Sequence, residues 1–368
     1  MKYRKFGTMN FDISVLSFGA YCLPEKGAAI EILRCATDNG VNFLELSYPG
    51  DMDKYKHEAE KVGEFLKEEY RDKVKISIDL PLQEVNSPSE LDHFLDDILK
   101  VMRVENVDFC VVGELNRANL NKLDELNISG WAEKAIGDGK IGKLGFSFHD
   151  DPQYLKTIVE NYKDWAFCQV RYSFMDVNHH PGITGIKYAA RNGLAVVATK
   201  PFKDGRLLKN IPEKIIEAWK NLNGSPLEWC LRWVWNHPEV STVVVDAPIM
   251  RQVLDNVALV EKAEPDNLTV MELVAIDKIR ELYLQLKPVN CATCYCCMPC
   301  PVGIDVPHIL EIYNDAVTYN DFEVARAMYK AIRPNIENCT QCGQCESKCP
   351  RQIPIIEWLK KAHEALKA

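Results

Sequence analysis

Apolar residues along roughly the first 265 positions recur in two rhythms. Short runs rich in β-branched and apolar residues are SVLSFGAYC, NFLELS, KVKISIDL, VDFCVVGEL, KLGFSFH, FCQVRYSFM, LAVVATKPF and VSTVVVDAP. Between them lie stretches with apolar residues three and four apart, among them AIEILRCATDNG, AEKVGEFLKEEY, SELDHFLDDILKVMRV, YLKTIVENY and MRQVLDNVALVEKA. The first rhythm predicts strands and the second helices. Strands separated by helices imply right-handed βαβ units and a parallel sheet. Eight such runs in about 250 residues fit a closed (β/α)8 TIM barrel better than an open doubly wound sheet. The dinucleotide fingerprint G-x-G-x-x-G, which would favour the open sheet, is absent. The expected fold class is therefore α/β, with a barrel over residues 1–265. The segment 266–288, containing NLTVMELVAIDKIRELYLQLKP, reads as a connecting amphipathic helix. Without Gly and Ser runs it is expected to dock across the barrel rather than act as a flexible linker. Residues 289–368 form a small helix-rich domain: PHILEIYNDAVTYNDFEVARAMYKAI predicts one or two helices, and IPIIEWLKKAHEALKA a closing amphipathic one.

A length of 368 residues accommodates one large domain and one small one. Hydrophobic residues at 47% and charged residues at 26% place the chain among ordinary globular proteins. A net charge of -9 without a long basic tract speaks against a nucleic-acid surface. No run approaches the roughly 18 apolar residues of a spanning helix, and the basic start lacks the apolar core of a secretion signal. The expectation is a cytoplasmic protein with no membrane partner.

The fourteen cysteines are unevenly placed. Cys22, Cys35, Cys110, Cys168 and Cys230 stand singly in apolar segments and are expected to act as small hydrophobes. The other nine fall between Cys291 and Cys349, and in a reducing compartment such crowding reads as metal binding. Cys291, Cys294, Cys297 and Cys300 are two residues apart and precede Pro301; Cys339, Cys342, Cys345 and Cys349 follow C-x2-C-x2-C-x3-C and precede Pro350. Structural zinc is the competing reading of CxxC pairs, but zinc sites usually hold two pairs well apart, whereas here two triplets each carry a distal Cys-Pro. The arrangement resembles that of ferredoxins with two [4Fe-4S] clusters. The resemblance implies that each motif's last cysteine ligates the other cluster. One cluster would then take Cys291, Cys294, Cys297 and Cys349, and the second Cys339, Cys342, Cys345 and Cys300. The first motif has one residue fewer than usual before Cys300, and Cys296 is left over as a non-ligand.

The segments MKYRKFG, VLSFGAYCLP, RDKVKISIDLP, IGKLGFSFHDD, FCQVRYSFMD and LRWVWNHPEVSTVVV resemble the aldo-keto reductases, specifically an anaerobic branch with a C-terminal ferredoxin module. That family implies an NADPH-dependent carbonyl reductase with an Asp, Tyr, Lys and His tetrad at strand ends. Here the corresponding positions hold Glu45, Gly50, Asp79 and Gly113. Tyr48, Lys54, Tyr55 and His57 are the neighbours able to substitute, but a carboxylate at position 79 would raise a phenol's pKa where a lysine lowers it. Ser147 and Gln169 match positions that hold the nicotinamide amide, though either residue could equally satisfy neighbouring backbone groups. The phosphate-binding segments are replaced by KPFKDGRL and VDAPIM, where Asp246 repels phosphate and Pro248 removes a backbone donor.

The departures all fall at strand ends, so the mouth reads as abandoned or rebuilt. A rebuilt mouth would be lined by Glu45, Asp79, Glu114, His149, Arg171 and Lys200. Each has a plainer reading: Glu45 with Lys200 and Asp79 with Arg171 as structural ion pairs, His149 as a helix cap beside Asp150 or Asp151. Two functions follow. In one, an oxidoreductase passes electrons between the clusters and a flavin, a nicotinamide in a changed pose or a directly bound small-molecule substrate. In the other, a silent barrel makes the chain an electron-transfer subunit for a redox partner protein.

Overall fold

The computed structural model describes every residue except Cys22, Glu68, His179, His180 and Ala368. Two strands of three residues open the chain: β1 (Tyr3–Lys5) and β2 (Asp12–Ser14), paired antiparallel. The eight apolar runs follow as β3 (Leu16–Gly19), β4 (Phe43–Leu46), β5 (Lys75–Leu80), β6 (Val107–Leu115), β7 (Ile141–Phe148), β8 (Trp165–Arg171), β9 (Ala195–Thr199) and β10 (Thr242–Val245). Each is parallel to the next, and β10 pairs with both β9 and β3, closing the barrel.

The hairpin delivers Phe6 into the barrel. This fully buried ring meets Phe109 at 5.3 Å, Phe167 at 5.5 Å and Phe43 at 5.8 Å between centroids. Such aromatic clusters fill an interior that alternation assigns to every second strand residue. Burying one large side chain of this kind is worth roughly 1.5–3 kcal/mol. Gly7 makes the entry possible: its φ is +58°, and a Cβ there would lie 2.6 Å from the Ala195 nitrogen.

The chain divides into two compact units. One comprises residues 1–201 and 227–268, the other 202–226 and 269–368. The sequence boundary near 265 falls close to this division, but the sequence did not show that 202–226, after β9, groups with the C-terminal residues. Arg206 supplies a physical reason: its guanidinium reaches Asp315 at 2.9 Å and Asp321 at 3.1 Å. The expected connecting helix is Val270–Gln285, started by a Thr269/Glu272 capping box. The region between the cysteine motifs forms two helices, Val306–Thr318 and Phe322–Ala331, and the closing helix is Ile355–Leu366. No helix among the described residues is long and apolar enough to cross a membrane.

Candidate functional site

The two cysteine motifs are backbone repeats of each other. Thr293 and Gln341, each two residues after its motif's first cysteine, both take φ of +54°. Tyr295 and Gly343, four residues after it, also lie in the left-handed region, at +59° and +73°. The amides of Thr293 and Gln341 donate to the sulfurs of Cys291 and Cys339, each at 3.4 Å. Left-handed residues are costly outside glycine, and turns of this kind aim successive N–H groups at one anionic point.

Each repeat faces a cavity. The first is lined by Cys291, Cys294, Cys297 and Cys349, with Leu310, Ile353 and Ile355 among its apolar walls. The second is lined by Cys339, Cys342, Cys345 and Cys300, with Cys297 shared between the two. Each hollow therefore receives three cysteines from one motif and the last cysteine of the other, and the second also touches the shared Cys297. Cys296 is exposed and lines neither. The donor set, thiols spread around a hollow, fits a cubane. Burial pushes Cys297 up to about 12.

The single cysteines behave largely as expected. Cys110, Cys168 and Cys230 are fully buried and Cys35 only partly so. Cys22 lies outside the described residues.

At the C-terminal ends of the barrel strands, Glu45 is buried in β4 and accepts a hydrogen bond from Gln169 Nε2 of β8 at 2.8 Å. These strands stand on opposite sides of the closed order, so the bond spans the barrel interior. Burial, then the Asp246 carboxylate, push Glu45 up to about 7. Gly19, the register partner of Glu45, clears space for Asp246: a Cβ at position 19 would lie 2.3 Å from Asp246 Oδ1. Asp79, near the end of β5, accepts from the Tyr48 amide at 3.2 Å. Its carboxyl is held well above the usual range by burial first and Glu45 second.

The other expected lining residues divide into inner and outer positions. Lys200 follows β9 with a left-handed φ of +54°; its Nζ lies 3.5 Å from Asp246 and 4.7 Å from the Tyr21 ring centre. Glu114, also left-handed, stands at the rim 3.8 Å from Arg171, both side chains more than half exposed. The pairings thus differ from those expected: Lys200 is with Asp246, and Arg171 with Glu114. His149 directly follows β7, but the side-chain cap of the next helix is Asp151, which accepts from the Gln153 amide at 3.0 Å. Asp150 instead grips Arg117, at 2.8 Å from its Nε.

Neither tyrosine takes up a lysine-activated arrangement. Tyr55 is fully buried, donating to the Asp79 carbonyl at 2.8 Å and accepting from the Asp79 amide at 2.9 Å. Burial and then Asp79 drive its phenol well above its ordinary value. Ser147 Oγ accepts from the Glu114 amide at 2.6 Å, and Gln169 is bonded to Glu45. Both residues at the expected nicotinamide positions are therefore engaged within the barrel. Tyr21, Gly19 and Ser77 also belong to the mouth or the interior beneath it and were not singled out from sequence. The one available signal was the glycine ending the run SVLSFG.

Comparison with known proteins agrees with this architecture. The profile described as the aldo/keto reductase family matches residues 6–281, and that of a 4Fe-4S dicluster domain matches residues 290–354. Comparison with curated proteins returned no match. Among solved structures, the holo form of aldo-keto reductase AKR11C1 from Bacillus halodurans is 21% identical at a TM-score of 0.63, covering 76% of this chain and 96% of that one. An aldo-keto reductase from Klebsiella pneumoniae in complex with NADPH is 19% identical at 0.60, covering 76% and 95%. With its closed barrel matched and its cysteine repeats matched separately, the chain belongs to the aldo/keto reductase family and carries a C-terminal 4Fe-4S dicluster domain.

Proposed function

We propose that this iron-sulfur oxidoreductase holds one cluster on Cys291, Cys294, Cys297 and Cys349 and the other on Cys339, Cys342, Cys345 and Cys300, and relays electrons between a redox partner protein and a substrate at the barrel mouth. The observation that carries the reading is the crossing of motifs at the two cavities, where Cys349 completes the first set and Cys300 the second. Clusters of this kind supply one-electron transfer. The chain's own part is to present thiolates from a turn whose amides stabilise them, and to exclude water with Leu310, Ile353 and their neighbours.

In the barrel, the reaction proceeds without the family's usual tetrad. Three of its positions carry Gly50, Asp79 and Gly113, and the nearest buried phenol faces the strand of Asp79 instead of a lysine. Glu45, poised near neutrality, is the group suited to hold and release a proton there. Nicotinamide in the family's pose is disfavoured, because Ser147 and Gln169 are engaged internally and Asp246 stands where a phosphate would approach.

A second reading keeps the barrel silent and makes the chain an electron-transfer subunit. The Gln169–Glu45 bond across the interior favours it, since it fills space a substrate would need. The test begins with anaerobically purified protein, analysed for iron, sulfide, zinc and flavin and titrated with NADPH. The expected content is eight irons, four for each cluster, with Cys349→Ser losing about half. Zinc without sulfide would overturn the cluster assignment. If Glu45→Gln and Asp79→Asn leave electron transfer to every acceptor unchanged, the subunit reading replaces the catalytic one.

A further inference from the structure

We propose that the barrel mouth binds a small organic cation, a protonated amine, with the carboxyl groups of Glu45 and Asp79 as its counter-ions. This rests on reading the mouth as the reaction site, and it names that site's substrate class.

The charge inventory points this way. Of the basic side chains expected to line the mouth, Arg171 is drawn to Glu114 at 3.8 Å and Lys200 to Asp246 at 3.5 Å. Glu45 and Asp79 remain on adjacent strands, Glu45 raising the pKa of Asp79, with no ion-pair partner among the described residues. Lys200 opposes the shift of each acid but less than burial raises it, so once Glu45 ionises the floor disfavours carboxylate and phosphate substrates and favours a cation.

Orphaned polar atoms are the second, independent observation. Asp79 Oδ1 is buried and accepts no hydrogen bond. Two residues earlier on β5, and so on the same face of the strand, Ser77 is 0% exposed and its Oγ has no partner. Buried acceptors left unmatched are unfavourable. An ammonium group offers three donors and the opposite charge. A metal ion is the poorer occupant, because no three ligating side chains among the described residues are grouped to hold one.

Protons compete with the cation for the same carboxyls. Of the groups facing them, Tyr48, Tyr55 and Cys110 are pushed upward by burial and then by neighbouring acids, and stay neutral. The remaining charged groups are paired with each other, Lys200 with Asp246 at 3.5 Å and Arg171 with Glu114 at 3.8 Å. Glu45, at about 7, is therefore the group whose ionisation sets cation affinity around neutral pH. A cation that binds only the ionised form should bind more tightly as pH rises, by about tenfold between pH 6 and pH 8.

Isothermal titration calorimetry of the anaerobically purified, iron-loaded protein tests this with n-butylammonium, n-butanol and butyrate as probes. We expect the ammonium alone to bind, about tenfold more tightly at pH 8 than at pH 6, releasing a proton detectable as buffer-dependent heat. Glu45→Gln should flatten that pH dependence; should the variant not fold, proton release by the wild-type protein decides. Butyrate or butanol binding as tightly as the ammonium, or ammonium affinity independent of pH, would overturn the proposal. Failure of ammonium binding in protein with full iron content, and with turnover still sensitive to Glu45→Gln, would sink this inference alone and leave the reaction-site reading intact.

Discussion

At the scale of single residues, the barrel mouth depends on one missing methyl group. Gly19 leaves room for the Asp246 carboxylate, which in turn engages Lys200 and raises the pKa of Glu45. Gly19→Ala would push Asp246 away, since the added Cβ would lie 2.3 Å from its Oδ1. Because the displaced atom ends a side chain, the stability cost should be modest, about 1 kcal/mol. The informative consequence is a fall in the pKa of Glu45, measurable by carbon-detected titration of its carboxyl. Glu45 also carries a stability signature. Its folded pKa of about 7 exceeds the ordinary 4.5, so in that interval the folded chain keeps a proton that the unfolded chain has lost. The contribution is present below pH 4.5 and is lost as pH rises toward 7, on the order of 3 kcal/mol. Denaturant midpoints across that range should fall with rising pH in the wild-type protein and fall less steeply in Glu45→Gln. Asp79, displaced in the same direction, accounts for a remaining slope. None of these magnitudes was legible in the sequence. Glu45 and Asp79 were recognisable as strand-end acids, but their lack of a basic partner emerged only when Lys200 turned to Asp246.

At the scale of elements, legibility followed length and periodicity. The eight barrel strands announced themselves because buried parallel strands are near-continuous apolar runs, and the helices between them because their apolar faces repeat. β1 and β2 were missed because YRK and DIS are too short to display an alternation. The cysteine repeats were legible because thiol spacing is dictated by a local turn, and the two motifs do take the same turn. The grouping of residues 202–226 with the C-terminal residues was not legible, because it depends on ion pairs more than a hundred positions away in sequence. Arg206 is the hinge of that grouping, only 10% exposed and shared between Asp315 and Asp321. Burial already raises the pKa of Asp315, so removing the guanidinium would leave an acid that is costly to ionise. Arg206→Ala should destabilise the C-terminal unit by about 2–4 kcal/mol. Hydrogen exchange should accelerate in the helix Val306–Thr318 and in the segment Glu213–Trp219, while the strands β3 to β8 keep their protection. Uniform acceleration through the barrel would contradict this division.

At the scale of the whole molecule, the two units have different sources of stability. The barrel unit closes its own sheet and buries its own aromatic cluster around Phe6, with no metal-binding cysteine in either. The C-terminal unit is built otherwise. Its core, from Val289 through Ile309, Leu310 and Leu359, packs directly against Cys291, Cys300, Cys339, Cys345 and Cys349. Those thiols line the two cysteine hollows, so a group held by thiols from both motifs would tie this core together. Metal binding is then folding free energy for this unit and nearly irrelevant to the other. Iron removal by a chelator under anaerobic, reducing conditions should therefore abolish one thermal transition and spare a second. Differential scanning calorimetry should show the loss, and far-ultraviolet circular dichroism should retain the barrel's strand and helix signal. Residues 202–226 should lose protection together with the C-terminal helices, because their partners lie among them. Collapse of both transitions at once would mean that the barrel cannot stand without the iron-bearing unit. Persistence of both would mean that the cysteine module folds around its hollows unaided, and that the clusters serve electron transfer without serving the fold.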